Sequence, residues 1–125
     1  MNDPTPREQL PWRRYGVRQA LVCRLAGSDF QFTGEFNFYA DGRLGELFAR
    51  PFKTGADLEN LLDKFCIAVS RLLQHGETID SFAHCIDDGT PAGARDIFHA
   101  LIAGGVEAEK QMKHELSAAA GAGHQ

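Results

Sequence analysis

The residues able to do chemistry in this 125-residue chain are few and widely spaced. His75, His84, His99, His114 and His124 are its imidazoles, and Cys23, Cys66 and Cys85 its thiols. His84 and Cys85 are adjacent, and with His99 or the Asp87-Asp88 pair they offer metal donors. Zinc sites ordinarily show two spaced chelating pairs, and no second pair follows here, so no metal site is assigned. His75 precedes Gly76 at the end of a helical pattern, a place where the helix dipole favours a cation. Cys66 with a histidine would make a nucleophile pair, but it falls on the apolar side of the same pattern, and burial disfavours the thiolate. Glu35 and Glu46 sit on either side of a turn, and paired carboxylates can do acid–base work. The simpler reading pairs them with Arg24 or Arg50 on a solvated face. Gly42 and Gly45 lack the Lys-Ser/Thr of a phosphate loop. Trp12, Arg13, Arg14 and Tyr15 form the one basic–aromatic cluster, suited to a nucleotide phosphate or single-stranded nucleic acid. The plainer reading is a packed Trp with solvated arginines. No catalytic residue and no cofactor is assigned.

Composition narrows the classes. A net charge of −4 disfavours a general phosphate-backbone binder. No run of about 18 apolar residues suggests a membrane helix. The polar stretch Met1-Asn2-Asp3-Pro4 lacks the apolar segment of a secretory signal. Three cysteines, an odd number without a CxxC, point to reduced thiols and a cytoplasmic setting.

Elements that must position these residues follow from periodicity. Residues 1–9 read as a flexible polar arm, and the chain first docks near Leu10-Pro11-Trp12. A first strand is expected over 18–25. Phe30, Phe32, Phe36 and Phe38 then alternate with Gln31, Thr33, Glu35, Asn37 and Tyr39, the period of a half-buried strand. Gly34 marks a bulge or a close backbone approach. Asp41-Gly42 is a hairpin turn, and residues 44–49 return as a strand that Arg50-Pro51 breaks. Thr54 or Asp57 is the expected N-cap of a helix over 57–75. Its apolar stripe is Leu58, Leu61, Leu62, Phe65, Cys66, Val69, Leu72 and Leu73, with Gly76 as C-cap. This stripe is expected to lie on the Phe face, leaving Ile67 exposed as a contact for another helix or chain. A short helix over 78–86 and a third starting near Pro91 follow, with Gly104-Gly105 ending or kinking the third.

Three stretches together resemble a known family. They are Leu10-Pro11-Trp12-Arg13-Arg14-Tyr15-Gly16-Val17-Arg18-Gln19, then Tyr39-Ala40-Asp41-Gly42-Arg43-Leu44-Gly45-Glu46-Leu47-Phe48, then Phe65-Cys66-Ile67-Ala68-Val69-Ser70 with Leu73-Gln74-His75-Gly76. In order and spacing they are similar to the C-terminal region of adenosylcobalamin-dependent (class II) ribonucleotide reductases, over roughly 10–82. The family's radical cysteine, redox cysteine pair and cobalamin site belong to a much larger barrel, and its CxxC tail has no counterpart here. The resemblance therefore implies a stand-alone accessory domain that carries over no active-site residue.

The expected fold is α+β in two layers: a small antiparallel sheet of three or four strands, one long amphipathic helix across it, and further C-terminal helices. Residues 10–120 form the single domain, between the arm at 1–9 and a disordered tail at 121–125. The expected function is a non-catalytic binding module acting through protein association. Its partner would be a ribonucleotide reductase catalytic chain or a second copy in a homodimer, with no membrane contact and nucleic acid disfavoured. Candidate contacts are Ile67, Tyr39 and Glu35. The alternative is a nucleotide- or nucleic-acid-binding regulator using Trp12, Arg13, Arg14 and Tyr15.

Overall fold

The computed structural model describes residues 6–10, 15–51 and 55–122. Three strands, β1 (Tyr15–Leu25), β2 (Ser28–Phe38) and β3 (Leu44–Pro51), form an antiparallel meander in the order β1-β2-β3. Two α-helices, α1 (Ala56–Gln74) and α2 (Ile79–Ile86), follow. A 3-10 turn at Ala92–Ala94 leads into the long helix α3 (Ile97–Ala122). The α+β class is as the periodicity implied.

The alternation of β2 sorts its two faces. Phe32, Phe36 and Phe38 are buried in one core with Leu44 and Leu47 of β3, while Thr33, Glu35 and Asn37 are half-buried on the other face. β1 begins at Tyr15, ahead of the expected position, and pairs with β2 over its whole length. β3 does not stop before Arg50 but runs to Pro51, the last residue of an outer strand, where proline is tolerated. In the hairpin turn, Gly42 takes φ +90°, a conformation that only glycine adopts cheaply. The Gly42 N–H donates to the Tyr39 carbonyl there.

The helix over the Phe face is α3, not α1. Gly104 and Gly105 neither end nor kink it; they let it approach. A Cβ on Gly104 would lie 2.9 Å from Leu21 Cδ1 and 3.3 Å from Phe36 Cζ. One on Gly105 would lie 3.1 Å from Ile79 Cγ1. From the sheet side, a Cβ on Gly34 would lie 2.8 Å from Leu21 Cδ1, so side chains, and neither a bulge nor another backbone, occupy the space at this glycine. Leu21 and the Phe36 ring thus fill the space that glycines of strand and helix leave open. Asp96 opens α3, its Oδ1 accepting from the His99 N–H at 2.8 Å.

Helix α1 has Gly55 as N-cap with no side-chain cap bond, so Asp57 does not cap it; it lies in the first turn with Glu59. Thr54 lies outside the described residues. The far end closes by a Schellman motif: Glu77 N–H bonds Leu72 O and Gly76 N–H bonds Leu73 O, both at 3.1 Å, with Gly76 at φ +106°. Thr78 caps α2, accepting from the Ser81 N–H at 3.1 Å.

Candidate functional site: the edges and open face of the sheet

A three-stranded sheet has two edges, and this chain treats them differently. At β3, α1 lies alongside the strand and seals it with side chains. The backbone of Ala49 bonds the Cys66 sulfur. Leu47 N–H donates to Ser70 Oγ at 3.0 Å, and Ser70 Oγ donates back to Leu47 O at 3.2 Å. Gln74 Nε2 donates to Gly45 O at 3.0 Å. The geometry explains the match. Four helical residues advance about 6 Å, and two strand residues about 6.6 Å. Residues at i, i+4 and i+8 of α1 therefore meet every second residue of β3 running the other way. Burial in this seam pushes the Cys66 thiol up to about 12, so it stays protonated.

This seam sets the rotation of α1. Leu62, Cys66, Val69 and Leu73 are buried, and so are the polar Ser70 and Gln74. Leu61 and Leu72, expected in the core, are 60% and 46% exposed. Ile67 is exposed as expected, at 59%. Ser70 and Gln74 were the functional residues that an apolar count passed over. Their only sequence signal is polar residues spaced i, i+4 on the flank of the stripe.

The N-terminal segment is anchored on the same side. Glu8 N–H donates to Gln74 O at 2.7 Å, and Arg7 Nε donates to Gln74 Oε1 at 2.6 Å. The Tyr39 hydroxyl donates to Glu8 O, and Arg43 binds Glu8 Oε2 at 2.9 Å and Asp41 Oδ2 at 2.7 Å while lying 4.7 Å over the Tyr39 ring. Arg7 and Glu8 thus have partners in the fold. The candidate contact Tyr39 lies elsewhere than the strand alternation placed it. It has left the strand, is buried under this latch, and offers no contact surface. Burial, then the Glu8 charge, raises its hydroxyl. Partial burial would raise the Asp41 carboxyl, but the Arg43 backbone N–H and guanidinium outweigh this and hold it below its usual range.

At β1 the edge is bare over most of its length. Among the described residues, one backbone bond reaches it from outside the sheet: Arg24 N–H to Arg95 O at 2.8 Å. A residue's N–H and C=O point the same way in an antiparallel strand, and the direction alternates. Gly16, Arg18, Ala20 and Val22 therefore point theirs outward, as Arg24 does, and all of them are exposed. A groove of about 300 Å³ runs beside this edge, between Leu21 and Val22 of β1, Ala92, and Ala100, Ala103 and Gly104 of α3.

The helix-free face of the sheet carries the charges. Arg18 Nε lies 2.7 Å and Arg50 Nε 3.5 Å from the two oxygens of Glu35. Arg24 binds Asp29 at 3.0 Å. Glu35 stands opposite Phe48 and Glu46 opposite Asn37 in the register, so the two carboxylates are not a facing pair. Asn37 Nδ2 donates to Glu46 at 2.7 Å instead. Glu35 is open to a partner along this face only together with its two arginines.

The remaining candidates stay apart. Among the described residues, no three His, Cys, Asp or Glu side chains converge to hold a metal. His84, Cys85 and His114 are exposed. His99 lines a cleft of about 250 Å³ with Asp87, Arg95 and Glu107, and the buried Arg95 Nε has no hydrogen-bond partner among the described residues. Cys23 is buried, and burial, with Asp96 nearby, raises its thiol. Trp12, Arg13 and Arg14 lie outside the described residues. Tyr15 opens β1 and is exposed. Glu109, which sequence reasoning missed, is buried and accepts the Leu44 N–H at 2.7 Å. No described helix is long and apolar enough to cross a membrane.

Comparison with known proteins places part of this chain. Over 77 residues, 61% of the chain, it is 43% identical to a vitamin B12-dependent ribonucleotide reductase of Bradyrhizobium diazoefficiens, covering 6% of that enzyme. It is 38% identical over 77 residues to the enzyme of that name in Agrobacterium fabrum, again 6% of its length. It is 34% identical over 76 residues to the one in Streptantibioticus cattleyicolor, 12% of its length. The chain thus matches one small region of these reductases. No family model matches it, and no solved structure gives a significant match.

Proposed function

We propose that this chain is an accessory domain that works by associating with other protein chains, a ribonucleotide reductase catalytic chain first among them. The observation that carries the reading is the 43% identity confined to 6% of a reductase. A region that small corresponds to an appendage of an enzyme, and an appendage kept as a folded unit is kept for its surfaces. The sheet and helices found here give such a unit its own core. Two surfaces suit protein contact. One is the row Leu61, Phe65 and Leu72 on α1, where Leu61 and Leu72 are exposed. The other is the bare edge and charged face of β1. Ile67 lies on the opposite flank of α1 from that row and gives a further apolar contact.

The test is binding between this purified chain and a purified vitamin B12-dependent ribonucleotide reductase from the same cell, read by co-elution and by sedimentation. Formation of a complex that Leu61→Glu or Leu72→Glu weakens tenfold or more supports the reading. Absence of any complex with the reductase, with or without nucleotide, overturns it.

A further inference from the structure

The bare edge of β1 has a specific occupant. We propose that a second copy of this chain adds its own β1 antiparallel to this one, centred on Ala20, so that two sheets become one. This deepens the association reading above by naming a partner for one of its surfaces.

Four observations lead there. First, Arg18, Ala20 and Val22 direct outward N–H and C=O groups that are unpaired among the described residues, and the turn carrying Arg95 meets the strand at Arg24. A strand edge of this kind is a template for another strand. Second, the usual protection of an edge is absent. Natural edges are guarded by free charges, prolines or bulges. The described β1 has no proline, it pairs with β2 without a break in register, and its two arginines are turned onto Glu35 and Asp29 of β2.

Third, the edge is complementary to itself. Pairing about Ala20 sets Arg18 opposite Val22 of the second copy, and Ala20 opposite its own counterpart. No like charges face each other directly, a condition that a register bringing the two Arg18 residues together would violate. Val22, 52% exposed in the single chain, is then covered by the aliphatic stem of an arginine. A two-fold interface needs this self-matching, since each residue meets its partner twice. Fourth, there is room on the inner face. Ala100, Ala103 and Gly104 are small, and the groove of about 300 Å³ that they make with Leu21 leaves the side of the edge open to a second strand. An unrelated extended peptide could use the same hydrogen bonds but has no claim from the charge pattern.

The 125-residue chain decides the matter by sedimentation equilibrium. The expected species is twice the 13.7 kDa chain mass. Ala20→Pro removes an outward N–H without touching the β1–β2 ladder, whose bonds come from the odd-numbered residues. It is expected to give a monomer with unchanged circular dichroism. Ala20→Cys in a Cys85→Ser background tests the register independently. Residues directly opposite in a hydrogen-bonded pair have Cα atoms about 5.5 Å apart, within disulfide range. Oxidation is therefore expected to give a covalent dimer, while Ala20→Cys in a monomer would not cross-link. A wild-type chain that stays monomeric at its solubility limit overturns the proposal. So does a dimer that survives Ala20→Pro, or a dimer in which the Ala20→Cys pair does not close. A monomer that still binds the reductase would remove this inference alone, and a dimer that binds no reductase would remove only the proposed function.

Discussion

The two edges of the sheet are built from the same kind of backbone and finished in opposite ways. β3 gives its outward N–H and C=O groups to Cys66, Ser70 and Gln74 of the helix beside it. Among the described residues, β1 leaves those of Arg18, Ala20 and Val22 open and is closed only at Arg24. The contrast teaches that polar residues on a helix flank can complete a sheet within one chain. The uncompleted side is the one to which the proposal above assigns association. At β3 the groups are buried, so leaving them unpaired is expensive. At β1 they face water, so a variant there costs the fold little.

The largest effect belongs to the sealed edge. Ser70→Val strands both Leu47 groups in a buried seam, and a loss of about 3 kcal/mol is expected in urea unfolding. Ala20→Pro on the bare edge, by contrast, should leave the unfolding midpoint of the monomer nearly unchanged. A small loss for Ser70→Val would mean that water reaches β3 and that the edges are alike after all. Next in size is Gly104→Val on α3, which forces bulk against Leu21 and Phe36. Overpacking there should lower stability by about 2 kcal/mol, measured by thermal unfolding. Arg18→Ala removes a pair whose arginine is largely exposed, so the expected loss is below about 1 kcal/mol.

Two smaller signals sharpen the contrast. In the folded chain Cys85 should react quickly with a thiol reagent, while Cys23 and Cys66 should react only on denaturation. Ser70→Val should speed Cys66 alone, because it opens the seam. The Asp41 carboxyl is held below its ordinary value, so its stabilising contact with Arg43 is complete above the unfolded pKa of about 3.9 and lost as pH falls through the lower folded one. The Arg43 Nε–H resonance, followed by NMR as acid is added, should shift with a midpoint below about 3.9. A midpoint at or above that value would mean the latch is not formed in solution.

Much of this fold was legible in the sequence. The Phe alternation located β2, the Asp41-Gly42 pair located the turn, and Gly76 located the end of α1. Each is a local rule that the tertiary structure left standing. The rotation of α1 was not legible. Counting apolar residues put Leu61 and Leu72 inward, whereas the hydrogen-bonding needs of β3 brought Ser70 and Gln74 inward and turned the two leucines to solvent. Gly104-Gly105 misled for a related reason. Glycine weakens an isolated helix, but packing on Leu21, Phe36 and Ile79 more than compensates. Tyr39 followed the β2 alternation on paper, yet the turn redirected it beneath Arg43. Of the candidate contacts, Ile67 and Glu35 could be placed by pattern. The bare edge could not, since edge position depends on strand order.

The seam between α1 and β3 is also a vernier. A helix advances about 6.0 Å per four residues and a strand about 6.6 Å per two, so successive side chains slip out of step by about 0.6 Å. Over the span from Ala49 to Gly45 the accumulated slip is about 1.2 Å, which hydrogen bonds absorb by tilting. Each further repeat would add about 0.6 Å more. The mismatch grows with length, so an eleven-residue strand such as β1 is a poorer fit for the same device.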